Sequence, residues 1–314
     1  MKMKKVWASL ALVAVVAGVF CAMVFLKPQP KKDFSVVATN FIGYDVARAV
    51  MGNGNAGEVK MLLKPGSEMH NYEPTPQDII DISEADFFIY VGGESDEWVD
   101  GVLKDNNIGE EKTIRLMNFV GVEFEEFKEG MTGEKEEDAE FDEHIWTNPL
   151  NVARMVEAVR DRFIAKKPRR TDIFTTNAKE YTEKLTSINY QIRDIVSKAK
   201  RKELIFADRF PFRYLTVEYG LDYYAAFPGC AEQTEASSST IAFLINKVKA
   251  DNIPVILKIE LTSDALAQTI ANETGAKIMT LNSAHNISQE DFKAGKTYAD
   301  IMQDNLEVLK EALN

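Results

Sequence analysis

From Phe34 onward, short runs of apolar and β-branched residues alternate with stretches whose apolar positions recur every three or four residues. The runs 35–39, 59–63, 87–91 and 112–116 read as strands, with helices predicted over 44–51, 76–82 and 96–103. A second series repeats the plan, with strands over 204–207, 223–226, 255–259 and 277–281 and helices starting near Phe210, Ser238, Ser263 and Tyr298. Alternation of this kind builds a parallel sheet covered by helices. The expected fold is therefore α/β, two lobes each with a parallel β-sheet flanked by helices. Between the series, Ile173, Phe174, Ala178, Tyr181, Leu185, Ile188, Ile192, Ile195 and Val196 recur at helical spacing through 172–200 with no Gly or Pro. That pattern predicts a rigid joining helix ~40 Å long, which would hold any closure of the lobes to a small movement. The expected division is 34–165 for the first lobe, 166–201 for the linking helix and 202–314 for the second lobe.

One stretch organises the candidate chemistry: Lys64-Pro-Gly-Ser-Glu-Met-His-Asn-Tyr-Glu-Pro-Thr-Pro-Gln-Asp-Ile79. The second strand stops at Pro65-Gly66, and a helix restarts where Thr75 can cap the N–H of Asp78 and Pro76 takes the first helical position. His70 is thus on a strand-to-helix loop, the position at which open α/β folds hold their ligands. The chain has only three histidines. His144 precedes Ile-Trp-Thr-Asn-Pro149 and a helix over 151–164, and His285 lies in Asn282-Ser-Ala-His-Asn286, just past the last strand. None is on the apolar face of a helix. Three converging neutral imidazoles would suit Zn²⁺ better than Mg²⁺ or Ca²⁺; scattered surface histidines are the alternative.

Charge and the N-terminus narrow the classes. Six of the 37 basic residues precede Asp33, leaving 31 against 49 acidic residues, a net of −18 on the body. Such a surface repels nucleic acid and favours cations. The stretch 123–143 is acidic, Gly-containing and aperiodic, and reads as a mobile surface loop, either a solvated insertion or a weak collector of cations. The cysteines are Cys21 and Cys230, so no disulfide is expected within the body; Cys230 reads as a buried structural thiol, with metal ligation the alternative. Residues 6–26 form an uncharged, mostly apolar run after a basic start, about the thickness of a bilayer core at ~1.5 Å per residue. Residues 1–33 are read as a retained membrane anchor, a lipoprotein segment on Cys21 or a cleaved signal, followed by a polar linker. Each of these puts the body outside the cytoplasm, and the first two keep it tethered to the membrane.

The stretch 64–79, Asp142-Glu-His-Ile-Trp-Thr-Asn-Pro149 and the final helical pattern 297–313 together resemble the metal-binding subunits of ABC importers for zinc and manganese, a family that includes adhesion lipoproteins. The resemblance covers nearly everything after residue 34. It implies two α/β lobes with Zn²⁺, or alternatively Mn²⁺, held between them by a monomer that hands the ion to a separate permease and ATPase. The family's ligands carry over directly onto His70 and His144, and its His-rich loop corresponds in place to the acidic stretch. The second lobe departs from the pattern. Where the family has a His or Glu five residues before a Tyr, Ala207-Asp-Arg-Phe-Pro-Phe-Arg-Tyr214 offers Arg209, and a guanidinium cannot ligate a cation. Asn282 stands roughly at the family's late Asp, which makes His285 the compensating ligand. Asp208 either supplies a carboxylate or pairs with Arg209, while Glu260 and Glu68 read as members of structural ion pairs. Enzyme signatures are missing: there is no His-Glu-x-x-His or Gly-x-Ser-x-Gly, and Glu290 stands where a phosphate loop ending at Gly295-Lys-Thr297 needs its first Gly. A metallohydrolase using Glu68 or Asp208 as base, and an adhesin without transport, are the other readings.

Overall fold

Among the described residues, eight strands form two separate four-stranded sheets, and both sheets are wholly parallel. The computed structural model describes residues 33–52, 57–67, 69, 72–133, 140–231 and 235–314; the N-terminal apolar run, Glu68 and His70 lie outside the described residues. Among the described residues no helix is long and apolar enough to cross a membrane. The first lobe runs β1 (Ser35–Ala38), α1 (Phe41–Met51), β2 (Glu58–Met61), α2 (Pro76–Glu84), β3 (Phe87–Tyr90), α3 (Trp98–Asp105) and β4 (Thr113–Arg115), with strand order β2-β1-β3-β4. Two helices follow, α4 (Pro149–Lys166) and α5 (Thr171–Lys198). The second lobe runs β5 (Glu203–Arg209), α6 (Arg213–Tyr219), β6 (Asp222–Phe227), α7 (Ser238–Ala250), β7 (Val255–Lys258), α8 (Ala265–Thr274) and β8 (Lys277–Thr280), in the order β6-β5-β7-β8. Helices α9 (Gln289–Ala294) and α10 (Tyr298–Ala312) complete the chain. Each sheet reverses its direction of growth after two strands, which opens a crevice beyond the carboxyl ends of its central strands.

Local chemistry accounts for most boundaries. Central strands β3 and β7 are buried at every position, as continuous apolar runs between two helical layers must be. Thr75 and Asp78 form the capping box of α2 behind Pro76, and Thr297 and Asp300 form that of α10. Helix α1 begins at Phe41, three residues ahead of the expected start, because the Asn40 side chain accepts the Gly43 N–H. Helix α6 begins at Arg213, not near Phe210, since Pro211 disfavours helical geometry at the residue before it. Strand β2 ends at Met61, although the N–H groups of Leu62 and Leu63 still reach the carbonyls of Ala38 and Thr39 at 2.9 Å.

The acidic stretch is not a mobile loop at its described ends. Phe124 and Phe141 form an antiparallel bridge with their rings 4.7 Å apart. Glu125 N–H donates to Glu140 O and Asp142 N–H to Glu123 O, both at 2.9 Å. Met131 is buried, and Thr132 N–H reaches Ala226 O of β6. Residues 134–139 lie outside the described residues.

The long helix buries seven of its nine predicted positions, Phe174, Ala178, Tyr181, Leu185, Ile188, Ile192 and Val196, whereas Ile173 is half exposed and Ile195 only partly buried. It packs on α1, α4 and α10, and one apolar core runs through it from the first lobe to the second. Asp45 is the polar counterpart of that seam. Its buried carboxylate accepts Arg48 at 2.6 Å, the Tyr181 hydroxyl and the Tyr298 N–H at 3.1 Å, which ties α1, α5 and α10 at one point. Asp45→Ala leaves a guanidinium, a buried hydroxyl and a helix-start N–H without their acceptor. It is expected to cost on the order of 3 kcal/mol in urea unfolding; a loss below about 0.5 kcal/mol, the size of an ordinary surface change, would show that the seam does not depend on it.

Candidate metal centre

Two loops from opposite lobes meet at the strand ends. In the second lobe, the turn after β8 is held by Glu260, which follows β7. The Glu260 carboxylate accepts Ser283 N–H at 2.7 Å, the Ser283 hydroxyl at 2.8 Å and His285 N–H at 3.0 Å. Within that turn Ala284 takes a left-handed conformation, φ 56°, with its N–H on Asn282 Oδ1 at 2.8 Å. The Asn305 side chain fixes the base of the turn, accepting from Asn282 N–H and donating to its carbonyl. This framework presents the His285 ring. Glu260 therefore holds backbone, in place of the ion pair expected for it.

On the first-lobe side the sequence Asp142-Glu143-His144 is buried throughout. Asp142 Oδ1 accepts the His144 N–H at 2.7 Å and lies 3.0 Å from its Nδ1. A proton on Nδ1 shared with that carboxylate directs the Nε2 lone pair outward, as a metal-bound imidazole requires. Glu143 turns toward β3, where its carboxylate accepts Ser95 N–H at 2.9 Å and Ser95 Oγ at 2.5 Å. The His144 and His285 ring centroids are 5.3 Å apart. Trp146 makes an edge-to-face contact with both, at 5.4 and 6.0 Å between centroids, and its indole N–H donates to Ser283 O at 2.8 Å.

The structure thus brings two of the three histidines together. The segments flanking His70 are anchored beside them: Asn286 Nδ2 donates to the carbonyls of Lys64 and Ser67, and Asn40 Nδ2 lies 3.1 Å from the Met69 sulfur. Asp208, at the end of β5, is engaged with backbone and a hydroxyl. It accepts Arg209 N–H at 2.9 Å, Ile259 N–H at 3.1 Å and Thr262 Oγ at 2.6 Å.

Sequence reasoning passed over Glu143 and favoured a buried structural thiol for Cys230 over a metal ligand. A carboxylate oxygen of Glu143, a ring nitrogen of His144 and the Cys230 sulfur lie within 4.8 Å of one another. The Cys230 N–H donates to Glu125 Oε1 at 2.9 Å. Gly229 lets this loop approach: a Cβ there would stand 3.3 Å from His144 Cε1, 3.1 Å from Glu125 Oε1 and 3.0 Å from Phe210 O. The only signal in the sequence was adjacency, since Glu143 neighbours a motif histidine.

Negative charge accumulates here away from bulk water. Burial pushes the Glu143 carboxyl up. Desolvation, then the neighbouring Glu140 and Glu143, raises Glu94 at the rim to about 7. Burial raises Asp96 to about 6, with Glu143 adding to the shift and the N–H groups of Gly92 and Val91 opposing it. The Cys230 thiol is held well up by burial and then by Glu143 and Glu125. Burial favours a neutral His144 ring, but Asp142, Glu143 and Glu125 together outweigh it and raise its pKa. A pocket of N, O and S donors carrying surplus negative charge suits a borderline-soft divalent cation.

Comparison with known proteins agrees with this chemistry. Residues 36–312 match the family model described as zinc-uptake complex component A, periplasmic. The chain is 32% identical over 313 residues, 98% of its length, to the zinc-binding lipoprotein AdcA of Streptococcus pneumoniae, and it spans 61% of that relative. It is also 32% identical over 289 residues to the high-affinity zinc uptake system protein ZnuA of Bacillus subtilis, covering 88% of this chain and 87% of that one. The structure of the Zn(II)-bound ZnuA-like domain of S. pneumoniae AdcA superposes with a TM-score of 0.74 at 31% identity, covering 89% of this chain and 98% of that domain.

The raised Asp96 gives a signed prediction. Folded Asp96 holds its proton up to about pH 6, and the unfolded group only to ~4, so its stabilising contribution is complete below ~4 and is lost as pH rises through 6. Both backbone N–H groups fall on one oxygen, at 2.7 and 3.0 Å, which an amide oxygen can replace. Asp96→Asn is therefore expected to make the metal-free protein about 2 kcal/mol more stable at pH 8, with no gain at pH 4, by urea unfolding. Equal effects at the two pH values would contradict this.

Proposed function

The chain belongs to the zinc-uptake complex component A family, and from that premise we propose that it is an extracytoplasmic solute-binding protein that captures Zn²⁺ between its two lobes and passes it to a separate permease driven by a separate ATPase. It carries out no catalysis of its own. The segment 6–26 is its tether to the membrane, and it works as a monomer. His70, His144 and His285 are the imidazole ligands; Asp208 and Cys230 compete for the fourth position.

The observation that carries this reading is the meeting of His144 and His285, 5.3 Å between centroids, from loops of different lobes. Asp142 contacts the His144 ring itself, and Glu260 holds the backbone of the turn that carries His285. A carboxylate on the second ring nitrogen, as Asp142 is for His144, orients an imidazole ligand and raises its basicity. Because both loops belong to lobes sharing one core, the ligands start close to their bound arrangement, and little ordering entropy has to be lost on capture. Release to a permease then requires the two loops to part.

Three outcomes follow for zinc titration of the metal-free protein. His144→Ala and His285→Ala should each weaken binding by more than the ~10–100-fold that loss of an outer-sphere partner costs; normal binding by His285→Ala would remove the second lobe's imidazole from the site. Protons compete with the ion for the rings, and the raised His144 value moves that competition upward. Affinity should therefore fall at least ~10-fold from pH 7.5 to 5.5, whereas a flat profile would argue against imidazole ligation. In direct competition Zn²⁺ should displace Mn²⁺, and tighter Mn²⁺ binding would make this a manganese-binding member of the family.

A further inference from the structure

We infer that the sulfur of Cys230 is a ligand of the captured ion, beside Glu143 and on the His144 side of the site. This rests on the zinc-capture reading and gives the second lobe a donor besides His285. Arg209 stands where a ligand is expected and has no lone pair to give. Asp208 next to it already spends its oxygens on Arg209 N–H, Ile259 N–H and the Thr262 hydroxyl, so drawing it onto an ion would undo the link between the ends of β5 and β7.

Cys230 has the geometry that Asp208 lacks. Its sulfur, a His144 ring nitrogen and a Glu143 oxygen all fall within 4.8 Å of one another. Ligand atoms around one tetrahedral zinc, at ~2.0 Å for nitrogen and ~2.3 Å for sulfur, are about 3.5 Å apart. A contraction of roughly 1 Å therefore brings the sulfur and the ring nitrogen onto one ion beside Glu143, whose oxygens accept from Ser95. The loop is built for the approach. Gly229 passes so near the His144 ring that a side chain there would crowd it, and Glu125 from the opposite lobe fixes the Cys230 N–H. The body holds no second cysteine with which this thiol could pair.

The chemistry on binding is simple. The S–H bond breaks, a sulfur–zinc bond forms, and the proton leaves to solvent. Sulfur also biases the site toward Zn²⁺ and away from Mn²⁺, which prefers oxygen donors.

The test uses the full-length chain loaded with Co²⁺ as a spectroscopic stand-in for zinc, together with zinc and manganese titrations of Cys230→Ser and Cys230→Ala. Wild type should show a thiolate-to-cobalt charge-transfer band in the near ultraviolet that both variants lack. Cys230→Ala should bind zinc more than ~100-fold more weakly, lose much less affinity for Mn²⁺, and release one proton fewer per zinc bound. If Co²⁺ binds wild type without that band, the inference is overturned, and this holds even where the variants bind zinc poorly, since the thiol would then act only through packing. Unchanged zinc affinity in Cys230→Ala overturns it as well while leaving zinc capture intact. Wild type that binds no zinc overturns both readings together.

Discussion

The structure depends on acidic side chains that accept backbone N–H groups at the carboxyl ends of its strands. Asp96 takes those of Val91 and Gly92, Glu143 that of Ser95, Asp208 that of Ile259, and Glu260 those of Ser283 and His285. A loop leaving a buried strand end carries polar groups that cannot be left without partners. Here carboxylates supply them, and such charge-assisted hydrogen bonds are the stronger kind. Each one fixes a turn that carries or abuts a metal-binding candidate. The shape of the site is in this sense a by-product of satisfying the backbone.

The same solution creates an electrostatic debt. Several acids converge on a region with little water, and burial raises Glu143, Asp96 and the Cys230 thiol together. Without an ion, protons supply part of the missing positive charge. A divalent cation would supply it more fully, displacing protons as it enters, so binding and pH are coupled through the shared field and not through one residue. The lobes are arranged to preserve this field. Trp146 joins them through its N–H on Ser283 O, and Tyr298, whose hydroxyl donates to Trp146 O at 2.6 Å, connects that contact to the Asp45 seam. The path from ligand loops to the long helix is thus a continuous set of buried hydrogen bonds.

Much of this fold was legible in the residue pattern. Alternating apolar runs and helical periods locate all eight strands to within a few residues, and the uninterrupted period of the long helix identifies its buried face. Capping chemistry at Thr75 and Thr297 places two helix starts correctly because a cap is a local interaction. Departures came where the deciding contact was distant or conformational. Helix α9 went unseen because six residues offer too little period to recognise. The acidic stretch looked solvated because composition cannot show that Glu125 faces Cys230 or that Glu143 is bound to Ser95. His144 and His285 could be named from their loops, and their convergence rested on resemblance until the two lobes were seen to pack. Cys230 read as a structural thiol for a plain reason: a buried thiol and a metal ligand differ only in their neighbours.

The central claim is that one zinc ion is held between the lobes by imidazoles from both. Diffraction from zinc-loaded crystals at the zinc absorption edge tests it most directly. The account predicts a single strong anomalous peak between the lobes, with nitrogens of His144 and His285 at ~2.0–2.1 Å. A peak coordinated only by surface carboxylates, or no peak between the two rings, would contradict it.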